Sequence, residues 1–136
     1  MALTKTIEAG GKTLTLTHNL YTYVKYKEFT GRDMLEDTAR LAIATDTPTG
    51  KAVDALSVEE QEKLISSFFS SANSTYIMYL TAALMATAEL PRSREFTDIL
   101  CDIPDDALYD AEFIKCLTEF MLINIDRVKK NLLARS

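Results

Sequence analysis

The stretch Tyr76–Leu90, YIMYLTAALMATAEL, is nearly all apolar. It predicts a helix, and Pro91 ends that helix because proline disfavours helical geometry at the residue before it. Small side chains along the stretch would permit close contact with other helices: Ala82, Ala83, Ala86 and Ala88.

This helix lies within a longer segment, residues 65–88, that carries no charge. The segment is nominally long enough to span a bilayer. Polar residues interrupt it, however, and the purely apolar runs between them are short: Ser66, Ser67, Ser70, Ser71, Asn73, Ser74 and Thr75. We therefore expect no membrane span, but a buried helical hairpin or a helix end used for association, with a break at residues 70–75.

The helix before this break is predicted to begin after Ser57. The pattern Ser57-Val58-Glu59-Glu60 is a capping box, in which Ser57 and Glu60 each accept a hydrogen bond from the other's backbone N–H. Apolar and large side chains then follow at helical spacing: Val58, Gln61, Leu64, Ile65, Phe68 and Phe69.

The N-terminal residues alternate in period two on either side of Gly10-Gly11, over Ala2–Glu8 and Lys12–Thr17. Glycines that accept positive φ between two such runs predict a β-hairpin, here within residues 1–18. From Asn19 the period becomes helical: the stripe Leu20, Tyr23, Val24 and Tyr26 or Lys27 steps at three and four residues, and Gly31 is the expected helix stop. Asp33 can cap a second helix, so residues 19–44 predict a helical hairpin.

Thr45–Gly50 is the clearest predicted loop, and residues 51–133 beyond it predict a helical bundle. Asp110 is expected to cap its last long helix, which carries an apolar stripe: Phe113, Leu117, Phe120, Asn124 and Val128. The 136 residues fit one domain. The predicted fold is mainly α, with a small N-terminal β-hairpin followed by a single-domain bundle of about five or six helices.

The composition disfavours several functions. A net charge of -5 and a pI near 4.9 oppose binding to nucleic acid. Cys101 and Cys116 are too few for a disulfide scaffold, and we expect both to be reduced and buried. The N-terminus lacks the apolar stretch of a signal peptide, so we expect a cytoplasmic protein. The single histidine, His18, is expected at the surface or near a helix cap.

Two further patterns fail as cofactor or metal sites. Thr49-Gly50-Lys51 lacks both the first glycine of a phosphate-binding loop and the hydroxyl residue after its lysine. The carboxylates between Asp102 and Glu112 lack the spacing of an EF-hand and are expected to complement helix dipoles. We therefore expect no cofactor, no metal and no enzymatic activity.

Aromatic residues on the helices are the remaining candidates for function. Tyr21, Tyr23 and Tyr26 share one predicted helix, and helix-spaced tyrosines more often pack in a core than at an interface. As a candidate protein-interaction surface we nevertheless single out six aromatics: Phe68, Phe69, Tyr76, Tyr79, Phe113 and Phe120.

The run Lys27–Leu35, KEFTGRDML, follows a threonine-rich strand that begins after a Gly-Lys turn. This arrangement resembles the N-terminal half of tail assembly chaperones of long-tailed bacteriophages, in which a β-hairpin leads into a helix that ends near Thr-Gly. The resemblance implies a non-enzymatic protein of the bacterial host cytoplasm, absent from the mature virion, whose copies coat the tape measure protein and keep it soluble during tail tube assembly. It also favours a homo-oligomer.

The resemblance leaves two further partners open: the tail tube protein, and a longer form of the chain made by ribosomal frameshifting. Lys129-Lys130 is a dipeptide that a slippery sequence would encode. The alternative function is a small acidic helical adaptor or regulatory protein that binds another protein. A small enzyme is the least favoured class, because acids, bases and nucleophiles in recognisable arrangement are scarce.

Overall fold

The computed structural model describes residues 3–44, 57–69 and 74–135. Within them, a two-stranded antiparallel hairpin is followed by six α-helices, which confirms the predicted mainly α class. The elements are β1 (Leu3–Ala9), β2 (Lys12–His18), α1 (Leu20–Thr30), α2 (Met34–Ala44), α3 (Val58–Phe68), α4 (Ser74–Ala88), α5 (Phe96–Cys101), a 3-10 turn (Ala107–Tyr109) and α6 (Ala111–Arg135).

Helix α4 lies at the centre of the molecule. Ile77 and every residue from Leu80 to Thr87 are buried, because β2 and α1 pack along this helix and α5 also contacts it. The helix begins two residues before the predicted start, Tyr76, and ends at Ala88, just before the cis Leu90–Pro91 peptide. An apolar helix enclosed in this way explains the uncharged segment without a membrane.

The hairpin covers the core with one face. Strands β1 and β2 pair in antiparallel register with Thr6 opposite Thr15, and Leu14 and Leu16 are buried. The opposite face is exposed and rich in threonine. Gly10 and Gly11 both take positive φ, as the turn requires, so the predicted hairpin is confirmed.

The predicted boundaries of the first two helices are confirmed. Asn19 Oδ1 accepts a 2.8 Å hydrogen bond from the Tyr21 backbone N–H at the start of α1. Gly31 closes the helix with φ of 74° and donates its N–H to the Lys27 carbonyl over 2.7 Å. The Asp33 carboxylate caps α2 by accepting from the Leu35 backbone N–H at 2.8 Å.

The other two predicted caps are also confirmed. Ser57 Oγ accepts from the Glu60 N–H, and Glu60 Oε1 accepts from the Ser57 N–H, each at 3.1 Å. Asp110 Oδ1 accepts from the Phe113 N–H over 3.1 Å at the start of α6. These contacts satisfy backbone donors that a helix leaves free at its first turn.

The predicted stripe of α1 is buried only in part. Tyr26 is buried, but Leu20 and Val24 are 79% and 56% exposed, and Thr22, which lies outside the stripe, is buried. The polar residues can face the core because they find partners there: Thr22 Oγ1 lies 2.9 Å from Thr87 Oγ1. Val58, placed on the inner stripe of α3, is also exposed.

Two further expectations are corrected. His18 is buried at the end of β2, because Asn124 of α6 supplies a hydrogen-bond partner inside the core. Cys101 is exposed at the last residue of α5, while Cys116 is buried as predicted. The predicted loop Thr45–Gly50 lies outside the described residues, as do positions 70–73 of the predicted helix break.

The hairpin turn packs closely on the segment before α6. A Cβ added at Gly10 would lie 2.6 Å from Pro104 Cβ and 2.8 Å from Asp106 Oδ1, whereas one added at Gly11 would meet nothing within 4 Å. Because both glycines have positive φ, alanine would be strained at either position. The effects of the two substitutions on stability should therefore differ chiefly through the contact with Pro104.

We predict that Gly11→Ala lowers the free energy of unfolding by about 1 kcal/mol through backbone strain alone. Gly10→Ala adds the steric clash, and should lower it by about 2–4 kcal/mol. Urea denaturation followed by circular dichroism measures both variants. Equal losses would show that the turn does not press on Pro104.

Candidate interaction surfaces

Two of the six candidate aromatics lie inside the core. Phe113 and Phe120 are 1% and 0% exposed, and the Phe120 ring stacks on His18 with centroids 6.2 Å apart. In this conformation neither side chain contributes to an exposed surface.

Tyr76 and Tyr79 are partly buried in an aromatic cluster between α1, α4 and α5. The Tyr76 hydroxyl lies 2.8 Å from Thr38 Oγ1, and burial raises the pKa of Tyr76 to about 12. The Tyr79 ring stacks on Phe96 at 4.9 Å, and both tyrosines meet the edge or face of Tyr26. Their placement agrees with core packing, the favoured reading of the tyrosines.

The last two candidates belong to α3 and the residue after it. Phe69 is partly buried and packs against the core. The side chain of Phe68 lies outside the described residues. The six aromatics are therefore not brought together as one exposed surface among the residues described.

A buried polar pair joins the N-terminal hairpin to the last helix. His18 Nε2 lies 2.8 Å from Asn124 Oδ1, and Asn124 Nδ2 lies 3.8 Å from Met34 Sδ. Because Oδ1 can only accept, His18 Nε2 carries the hydrogen. Sequence reasoning missed this pair; a polar Asn124 within an apolar stripe was the available signal.

The surroundings of His18 favour its neutral form. Burial lowers the pKa of His18 below its ordinary 6.5, the hydrogen bond with Asn124 opposes that shift, and the positive charge of Arg127 lowers the pKa further. Tyr23 meets the imidazole edge-on at 5.6 Å, and its hydroxyl accepts a 2.7 Å hydrogen bond from Arg127. His18 is 1% exposed, so the pair does not face solvent; it joins β2 to α6 inside the core.

A second polar cluster fixes the turn between α1 and α2. Asp37 accepts a 2.6 Å hydrogen bond from the Tyr26 hydroxyl and a pair of bonds from Arg32 at 2.6 and 2.9 Å. Burial and the carboxylate together raise the pKa of Tyr26 well above its usual range. The cluster holds α1 at a defined angle to α2, around the Thr-Gly pattern.

The outer side of α1 exposes apolar side chains. Leu20 and Val24 lie one turn apart and share a face with the exposed Lys27. We call Leu20, Val24 and Lys27 the α1 outer face. Glu28, four residues after Val24, adds an exposed carboxylate to this side of the helix.

An apolar groove opens between α4, α5 and the start of α6. It encloses about 230 Å³, and we call it the α4–α5 groove. Its wall residues include Ile77, Met78, Leu100, Ile103 and Phe113, with the acidic residue Asp105 also in its lining.

A larger cavity of about 550 Å³ lies between β2, the end of α4 and the residues on either side of α5. Three of its charged groups pair with one another: Arg94 donates to Glu89 at 2.5 Å and is also paired with Asp102. These contacts raise the pKa of the Arg94 guanidinium. The hydrogen bond from Arg94 also lowers the pKa of the Asp102 carboxyl.

Within residues 3–44, 57–69 and 74–135, no three His, Cys, Asp or Glu side chains are grouped as a metal site would require. In the same ranges, no helix combines the length and apolar character needed to cross a membrane. Comparison of the chain with protein-family models, curated proteins and solved structures finds no match. The function has to be argued from the molecule's own surfaces.

The two cysteines should differ in reactivity. Cys101 is exposed, whereas burial of Cys116 raises the pKa of its thiol to about 11. Iodoacetamide should modify Cys101 in the folded protein and modify Cys116 at least about 100-fold more slowly, because the thiolate is the reactive species. Mass spectrometry follows both sites, and denatured protein, in which both should react, is the control. Equal rates in the folded state would contradict the burial of Cys116.

The buried His18 should make stability depend on pH. Since its pKa is lowered in the folded state, the unfolded chain binds a proton first as pH falls through 6.5. The free energy of unfolding should therefore be unaffected by this group above that pH and fall below it, by up to about 1.4 kcal/mol per pH unit.

Urea denaturation of the wild type and His18→Gln between about pH 7.5 and pH 5.5 measures this effect. Glutamine keeps an N–H donor for Asn124 but does not titrate, and the carboxylates are common to both proteins. The wild type should lose more stability over this range. Parallel curves would contradict the lowered pKa.

Proposed function

We propose that this protein is a non-enzymatic tail assembly chaperone, which binds a phage tape measure protein in the bacterial cytoplasm and keeps it soluble during tail tube assembly. The observation that carries the proposal is the α1 outer face, where Leu20 and Val24 are exposed on a helix of the segment that resembles the chaperone family. A tape measure protein is long and largely helical, so an exposed apolar helix face is a suitable surface for it.

Helix α1 presents this face in a rigid form. Asn19 and Gly31 close its two ends, Thr22 ties it to α4, and the Asp37 cluster holds the turn that follows. A surface that is already ordered loses little conformational freedom when a partner binds. Leu20 and Val24, four residues apart, form a ridge that fits between side chains of an opposing helix.

The charges around the face describe the preferred partner segment. Lys27 and Glu28 follow Val24 by three and four residues, so an amphipathic helix with both an acidic and a basic residue beside its apolar stripe would pair best. The net charge of -5 on each copy would keep a coated tape measure protein soluble through mutual repulsion between complexes.

Co-expression with the tape measure protein encoded beside this chain tests the proposal. The soluble fraction of the tape measure protein should rise with the wild-type chain and fall with Val24→Glu. A carboxylate placed in the apolar contact should weaken binding at least about tenfold. Because Val24 is exposed, the variant should keep the wild-type circular dichroism spectrum.

Val58→Glu is the matched control, because it makes the same change at an exposed valine on α3. It should leave the soluble fraction unchanged. A tape measure protein that is equally soluble without this chain would overturn the proposed function and favour the acidic adaptor. Equal effects of the two variants would remove α1 as the binding face.

A further inference from the structure

The outer edge of strand β2 carries backbone groups that point away from the hairpin. The two-residue turn makes Ala9 and Lys12 the first hydrogen-bonded pair of the ladder. Hydrogen-bonded and non-hydrogen-bonded pairs alternate along an antiparallel ladder. The N–H and C=O groups of Thr13 and Thr15 therefore point outward, away from β1.

This stretch of the edge is not covered by other backbone. In the part of the chain that the structure describes, no hydrogen bond reaches the outward N–H and C=O groups of Thr13 and Thr15. The open stretch ends at Thr17, whose carbonyl oxygen lies 3.3 Å from Thr22 Oγ1 of α1. A strand edge with free backbone groups is a template for pairing with a further strand.

The 550 Å³ cavity, which we call the β2 cavity, lies along this edge. Its lining includes four successive residues of β2, from Lys12 to Thr15. Successive residues of a strand point to opposite faces, so a cavity that meets all four lies beside the strand. The four residues span about 13 Å at roughly 3.3 Å each. The edge therefore has open space next to it, in which a short extended segment fits.

The two faces of the strand select different side chains in such a segment. Leu14 and Met85 are 3% and 5% exposed and, with Ala88, form an apolar wall of the β2 cavity. Thr13 and Thr15 lie on the opposite, exposed face. An added strand alternates in the same way, so it needs an apolar residue beside Leu14 and polar residues beside the threonines. β-Branched residues suit both positions.

Lys12 adds a positive charge at one end of the β2 cavity. It lies on the same side of the strand as Leu14 and is exposed. Arg94 already engages both Glu89 and Asp102. In the described residues Lys12 takes part in none of the ion pairs, so it is the charge of this lining that an occupant can match. A carboxylate at the corresponding position of an added strand would pair with it.

The chain's own strands do not supply this segment. If the β2 edges of two copies paired with Thr15 opposite Thr15, Lys12 would lie opposite His18, which offers no carboxylate. Strand β1 carries Glu8, but it is already paired with β2 along its whole length. The occupant that fits is therefore a segment of a different protein.

We propose that the outer edge of β2 binds an extended segment of another protein, which adds to the hairpin as an antiparallel third strand. The segment carries polar β-branched residues opposite Thr13 and Thr15, an apolar residue opposite Leu14 and a carboxylate opposite Lys12. Main-chain hydrogen bonds supply affinity, and the alternating side chains select the sequence. This binding uses no residue of the α1 outer face and does not depend on the proposed function.

The peptide acetyl-Val-Thr-Val-Thr-Glu-amide is the probe. Antiparallel to β2, it places its threonines opposite Thr15 and Thr13 and its glutamate opposite Lys12. Nuclear magnetic resonance of the full chain with saturating peptide should show the amide hydrogens of Thr13 and Thr15 exchanging at least about tenfold more slowly, because they donate to the peptide. Thr4 and Thr6, on the outer edge of β1, should keep their rates. Unchanged exchange at Thr13 and Thr15 at every soluble peptide concentration would overturn the proposal.

Two N-methylated peptides distinguish strand pairing from simple occupation of the cavity. A methyl group on the nitrogen of the first threonine removes the hydrogen that should bond to the Thr15 carbonyl. It should raise the dissociation constant at least about tenfold. The same group on the central valine removes a hydrogen that points away from β2, and should leave the dissociation constant unchanged. Equal effects of the two methyl groups would show binding without strand pairing and would overturn the proposal.

Charge reversal tests the position of the carboxylate. Lys12→Glu should raise the dissociation constant of the peptide about three- to tenfold, since an exposed pair changes from attraction to repulsion. A peptide that ends in lysine should restore binding to this variant. Lys63→Glu makes the same change at an exposed lysine of α3 and is the matched control. An equal loss with Lys63→Glu, or no recovery with the lysine peptide, would contradict the proposed pairing with Lys12.

Discussion

From Leu80 to Thr87, helix α4 has no face exposed to water, and the remaining elements are arranged to cover this part. Residues from Leu80 to Thr87 are buried in succession, so β2, α1 and α5 must approach from different sides. Its alanines allow that approach. Its two buried threonines return their hydroxyls to carbonyls four residues earlier, at 2.7 Å each, so burial leaves no donor without a partner.

The helix ends could be predicted from the sequence because each depends on residues a few positions apart. Asp33, Ser57 and Gly31 act on their own backbone neighbourhoods, and each was predicted in its role. The inner face of α1 could not be predicted in the same way. Thr22 is buried because Thr87, 65 residues away, accepts a hydrogen bond there, its own hydroxyl hydrogen being donated to Ala83. Hydrophobic periodicity depends on residues close in sequence and so does not predict a hydrogen-bond partner this far along the chain.

The candidate surfaces also depend on contacts between residues far apart in sequence. Aromatic content identified Phe113 and Phe120 as candidates, but aromatic content does not distinguish a core residue from a surface residue, and both are in the core. The α4–α5 groove combines residues from three elements, and no short stretch of sequence contains it. His18 likewise meets a partner 106 residues away. Each of these features needs the tertiary arrangement.

The contacts between the hairpin and α6 set the order in which the protein can be completed during translation. Lys5 pairs with Glu119, and His18 pairs with Asn124, so the hairpin is stabilised by α6, about 100 residues later. Until α6 has left the ribosome, β1 lacks its cover and His18 lacks its acceptor. The nascent chain therefore emerges with this side of the core open, and synthesis of α6 closes it.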